Sequence, residues 1–147
     1  MNQDLLFSIA NSTALISWIF LMVLPGNKLT KIFIHSGLIS FSISGLYLVS
    51  VLTAVLSGAP GGFGSLTEVS QLLGSRDWLL AAWVHYLAFD LLVGSWMVKD
   101  AQQNKIGHRY CIPLLLLTFL IGPVGYFGYW LLRTARRKRL EELFLQP

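Results

Sequence analysis

The chain has 147 residues, 54% of them hydrophobic and 12% charged, with a formal net charge of +4. A soluble domain carries about twice that charged fraction, so the composition excludes an ordinary water-exposed globule. The mean hydropathy of +0.62 calls for a solvent other than water over most of the surface, and the single cysteine, Cys111, leaves no partner for an intrachain disulfide.

Four apolar runs reach the roughly 20 residues that a bilayer core requires, and helix is the state that satisfies the backbone there. The first, 5–24, has Asp4 as its only early charge and ends in Pro25-Gly26-Asn27, so it reads as a span and not as a cleavable signal. The second covers 32–56. A Gly/Pro-rich stretch from Gly58 to Gly62 follows, and Phe63 to Leu73 reads as a short amphipathic helix on the membrane surface. The third run covers 78–98, with Asp77 as its N-cap. The fourth covers 112–132, with Pro113 in its first turn and a kink at Gly122-Pro123. The expected fold is all-α: a single membrane domain over 1–147, built as a bundle of four transmembrane helices with a basic tail at 133–147.

The tail carries Arg133, Arg136, Arg137, Lys138 and Arg139, which favours a cytoplasmic C-terminus, and four spans then put the N-terminus on the same side. That wiring leaves six basic residues inside and five outside, a weak bias. The tail reads as an anchor to the lipid bilayer, with no nucleic-acid role.

Ionisable residues inside apolar spans are costly and mark functional sites. His85 and Asp90 lie in the third run and His35 near the start of the second. With antiparallel neighbours, His85 lies about 10 Å below the face carrying the second loop. Asn11, Tyr47 and Tyr126 come out at its level, while Ser40 and Thr118 approach the deeper Asp90. His85 and Asp90 stand about 140° apart around their helix, so both point inward only if that helix is sandwiched between others. Tyr86, Asp90 and Gly94 form one stripe, and Ser36, Ser40 and Ser44 another. A carboxylic acid in an apolar pocket is a competent proton donor and a neutral imidazole a competent base, so Asp90 and His85 are the catalytic candidates. Asn11, Ser40, Tyr47, Tyr86 and Tyr126 are the candidates for lining a substrate site. His35, His85 and Asp90 are the only candidates for a metal, at a spacing that specifies none.

The stretch from Trp83 to Trp96 (WVHYLAFDLLVGSW), then Asp100, then Pro113 to Trp130 (PLLLLTFLIGPVGYFGYW) resembles the abscisic-acid-deficiency membrane family, whose plant members are associated with neoxanthin synthesis. The resemblance implies a small membrane protein acting on a carotenoid or related isoprenoid. Neoxanthin formation turns an epoxide into an allene with a tertiary hydroxyl, a net isomerisation that needs an acid and a base and no redox cofactor. It implies Asp90 as the acid and His85 as the base, with Asp100 capping or pairing with a nearby cation. Two alternatives stay open on the same scaffold: an iron-dependent carotenoid oxygenase, and a non-catalytic carotenoid-binding or structural protein. The expected setting is a multi-pass protein of a prokaryotic plasma or thylakoid membrane, with homo-oligomerisation left open.

Overall fold

The computed structural model describes residues 2–144, with side chains through Arg136. Its elements are α1 (Gln3–Val23), a π-helical turn (Thr30–His35), α2 (Leu38–Leu56), α3 (Leu66–Gly74), α4 (Arg76–Gln103), α5 (His108–Ile121) and α6 (Pro123–Phe144). The described residues are helical or irregular, with no strand.

Local chemistry explains most of the boundaries. Asn2 caps α1, its side chain accepting from the Leu5 N–H at 3.2 Å. Ser65 caps α3 by accepting from the Glu68 N–H at 3.2 Å, while the Glu68 carboxylate reaches back to the Gly64 N–H at 3.1 Å. The amphipathic helix expected from Phe63 to Leu73 is therefore α3, starting later by the length of its cap.

Two boundaries correct the sequence reading. Ser75, not Asp77, is the residue before α4, and Asp77 lies in its first turn. Pro113 lies inside α5, which begins at His108. The second run is also not one helix. A π turn carries Thr30 to His35, then Gly37 at φ +85 breaks the path before α2 restarts.

α4 is the hub and packs against every other helix. Ala10, Ala14, Trp18 and Leu21 form the buried stripe of α1. The Trp18 ring lies flush on Gly94, where an added Cβ would come within 2.5 Å of it. The opposite faces carry Ile16, Ile19, Phe41, Leu52, Leu120 and Phe127, all exposed. An apolar exterior of that extent suits lipid and not water. Three helices, α1, α2 and α4, are long and apolar enough to cross a membrane.

The expected fourth span is instead a helical hairpin that folds back on itself. Gly122, at φ +35, ends α5, and Pro123 opens α6, where its missing N–H costs nothing. The chain then doubles back. A Cβ on Gly125 would lie 2.2 Å from the Thr118 nitrogen and 2.4 Å from the Leu114 carbonyl oxygen, and one on Gly128 would lie 2.9 Å from the Leu114 side chain. Further out, the Arg136 guanidinium sits 4.7 Å from the centroid of the Tyr110 ring. In a continuous helix Leu114 and Gly125 would stand about 16 Å apart. Glycine at 125 thus lets two backbones touch, and the break reverses the chain where a kink was expected.

The reversal reassigns the charges. Three long helices put the start of α1 and the end of α4 at opposite ends of the bundle, and the hairpin returns to the α4 end. Lys28, Lys31, Lys99, Lys105, Arg109, Arg133 and Arg136 gather there, and Arg137, Lys138 and Arg139 continue α6 beyond them. Of the 11 basic residues only Arg76 lies at the other end, paired with Asp4 at 2.7 Å. The weak bias of a four-span count becomes a strong one.

Gly125→Ala is expected to cost about 2 kcal/mol by forcing the hairpin apart. Gly45→Ala, where nothing lies within 4 Å of the added atom, should be neutral or stabilising. Thermal unfolding of the two variants in detergent checks this. Single cysteines at Gln103 and Ala135, in a Cys111→Ser background, should label from the same side of a bilayer. Labelling from opposite sides would mean that the fourth run crosses.

Candidate functional site

Asp90 lies ten residues, about 15 Å, along α4 from Asp100 at the basic end, near the middle of the bundle. The tip of the hairpin meets it there. A Cβ on Gly122 would be 2.9 Å from one Asp90 carboxylate oxygen, and φ +35 there also favours glycine. The other oxygen, Oδ2, is buried and has no hydrogen-bond partner among the described residues. One turn earlier, the Tyr86 hydroxyl donates to the Phe119 carbonyl at 2.9 Å, satisfying an orphan acceptor at the end of α5. That hydroxyl also neighbours the Asp90 carboxyl. Tyr86 therefore anchors the tip, and Asp90 faces it with acceptor capacity unspent.

The hairpin stops at Asp90, which leaves the far half of that α4 face uncovered. Leu79, Trp83, Tyr86 and Asp90 follow one another there at helical spacing. A groove of about 420 Å³ opens beside them, walled by Phe7, Leu79 and Trp83, with Gln3 and Arg76 at its mouth. The Phe7 and Trp83 rings stand 5.9 Å apart, and Trp83 and Tyr86 5.6 Å. These aromatics lead from the groove to Asp90. Asn11 lies here too, its side-chain oxygen accepting from Trp83 Nε1 at 3.2 Å and so fixing the indole.

His85 turns to a different face. Its ring stacks on Phe89 at 4.6 Å and lies 5.2 Å from Tyr47. It borders a smaller pocket of about 200 Å³ between α2, α3 and α4, roofed by Phe63, Leu72 and Trp78. His85 lines that pocket and Asp90 does not: Asp90 faces the tip of the hairpin instead.

The remaining candidates scatter. Ser40 is buried, and its hydroxyl has no partner among the described residues. Tyr126 was expected level with His85, but the reversal carries it to the basic end. There its hydroxyl accepts from Trp130 Nε1 at 2.6 Å and its ring stands 5.8 Å from Trp96. His35 ties three segments together. Its Nε2 donates to the Pro25 carbonyl at 3.1 Å, so in the neutral ring Nδ1 accepts from the Ser95 hydroxyl at 2.9 Å. Among the described residues no three of His, Cys, Asp or Glu gather as a metal site would require.

Sequence reasoning missed the Trp83 ladder, whose signal was its three-and-four spacing to Asp90. It also missed the lock that holds the hairpin to α4. Asp100 Oδ2 accepts from the Tyr129 hydroxyl at 2.6 Å and from Arg133 Nε at 2.7 Å. Asp100 pairs with a cation as expected, and the cation lies on α6.

These features define a helical protein with three helices long and apolar enough to cross a membrane and a buried α4 carboxyl facing the tip of a helical hairpin. A family model described as ABA DEFICIENT 4-like matches residues 5–129, and the chain belongs to that family. It is 26% identical over 131 residues to Protein ABA DEFICIENT 4, chloroplastic, of Arabidopsis thaliana, over 82% of this chain and 58% of that protein. The chain thus spans somewhat more than half the length of this curated relative. No solved structure matches it.

Asp100→Ala should lower the unfolding temperature well below that of Asp4→Ala. Asp100 bonds two partners at a buried site, whereas both members of the Asp4–Arg76 pair are largely exposed. Equal losses in a melt of both variants would mean that the lock does not hold the hairpin.

Proposed function

We propose that this chain is an integral membrane enzyme that modifies a carotenoid or related isoprenoid by proton transfer, with Asp90 carrying the proton. The observation that carries the reading is the buried Asp90 oxygen with no hydrogen-bond partner among the described residues, about two helical turns along α4 from the Trp83 wall of an apolar groove. Family membership supports the substrate class, and the apolar exterior supports the bilayer. The basic end faces the cytoplasmic side, by the excess of Lys and Arg there.

The chemistry is balanced as an isomerisation of an epoxide to an allenic alcohol. A protonated Asp90 gives its proton to the epoxide oxygen as the C–O bond breaks. The resulting carboxylate removes a proton from carbon as the cumulated double bond forms. Asp90 ends as it began, no electrons are gained or lost, and a water-poor site keeps the intermediate cation from hydrolysis. The apolar walls of Phe7, Leu79 and Trp83 orient the substrate end group towards the carboxyl. His85, facing the α3 pocket, is left to bind and not to pair with Asp90 on one end group.

The iron-dependent alternative finds less support in the side chains. Both ring nitrogens of His35 are engaged, and His85 lines the α3 pocket while Asp90 faces Gly122, so the three do not fit a common iron.

The test is pigment chromatography of a carotenoid-producing bacterial host expressing the chain. A new or depleted carotenoid is expected with the native sequence, falling at least 100-fold with Asp90→Asn and more modestly with Tyr86→Phe. An unchanged pigment profile, with folded protein confirmed, would favour a non-catalytic carotenoid binder. Full turnover by Asp90→Asn would remove Asp90 from the chemistry.

A further inference from the structure

A second groove, of about 430 Å³, opens at the basic end between the π turn, α4 and the hairpin. It begins within one turn of Asp90 along α4, which does not line it, and has a different character. Its walls are apolar, from Leu92, Val93 and Trp96, and its rim is polar, from Ser36, Lys99 and Tyr126. The wall is fixed in place, because the His35 ring is held on both nitrogens by Pro25 and Ser95.

The rim is short of negative charge. Lys99 donates to the His35 carbonyl at 3.2 Å, which uses one of its three N–H donors. Lys31 is close enough to add its own charge at His35. The nearby carboxylate, Asp100, is already taken by Arg133 and Tyr129. Among the described residues only Arg76 and Arg133 form salt bridges, so Lys31 and Lys99 stand without an acidic partner. The Tyr126 oxygen accepts from Trp130, which leaves its own proton to donate.

We propose that this groove binds one anionic phospholipid, with its phosphate on Lys99 and Tyr126 and an acyl chain along Leu92 and Val93. A freely diffusing phosphate would use the rim but not the walls. A neutral lipid would use the walls but leave the cations unbalanced. The combination at the basic end of a bundle fits an amphiphile with an anionic head. Such a lipid would bridge α4 and α6 through Tyr126, and so brace the hairpin whose tip faces Asp90. The proposal requires a bilayer setting and is independent of the carotenoid reading.

The test compares thermal midpoints of the full chain in phosphatidylcholine nanodiscs with and without phosphatidylglycerol. Phosphatidylglycerol should raise the midpoint of the native chain. Lys99→Gln should abolish most of that rise, whereas Lys105→Gln, the same charge change at the same end but outside the groove, should keep it. Leu92→Trp, at an exposed position that lines the groove, fills it without altering charge and should also abolish the rise while leaving the midpoint in phosphatidylcholine near native. Equal losses from Lys99→Gln and Lys105→Gln would reduce the effect to diffuse attraction and overturn the site. So would an equal rise from inorganic phosphate added to phosphatidylcholine discs, since that needs no acyl chain.

Discussion

Contact between the backbones of α5 and α6 at Gly125 is the constraint on which the rest of the structure depends. A larger residue there would push α6 away from Thr118 and Leu114, against which the turn at Gly122-Pro123 folds it. Because it does, Tyr129 and Arg133 come within reach of Asp100. The tip stops beside Asp90 at mid-depth, and the remaining α4 face stays open. One close approach therefore sets the charge distribution, the position of the buried carboxyl and the space in front of it.

The tip also meets a demand that apolar surroundings impose. A helix that ends inside a membrane leaves carbonyl and amide groups unpaired, and each is costly unless protein satisfies it. Tyr86 answers for the Phe119 carbonyl, and the Gly122 N–H bonds the Thr118 carbonyl at 2.8 Å. Proline at the start of α6 removes one donor that would otherwise need a partner. The Asp90 carboxyl stands out against this economy, since one of its oxygens is buried and unmatched. Under the proposed function, that unmatched oxygen is where the proton is exchanged.

Much of the fold was legible, for physical reasons. The runs that became α1 and α4 are long and apolar, and helix is the state available to them in lipid. The amphipathic stretch from Phe63 to Leu73 marked α3, and Asp100 beside the span marked a cation partner. The hairpin was not legible from hydropathy, because an apolar stretch of 112–132 scores alike whether it crosses or returns. Its signal lay in Gly122, Gly125 and Gly128 following one another beside a proline, where only a kink was expected. The error propagated: it placed Tyr126 level with His85 and divided the basic residues between two faces. For the site, helical spacing separated His85 from Asp90 in angle, but only the packing of α3 and the hairpin showed that His85 lines the α3 pocket while Asp90 faces Gly122.

The most direct test of this account is the distance across the reversal. Spin labels at Arg109→Cys and Ala135→Cys, in a Cys111→Ser background, report it in a bilayer by pulsed electron resonance. The hairpin predicts a distance below about 20 Å, since Tyr110 and Arg136 are in contact. A continuous span over the same 26 residues would give about 39 Å, and that result would contradict the account.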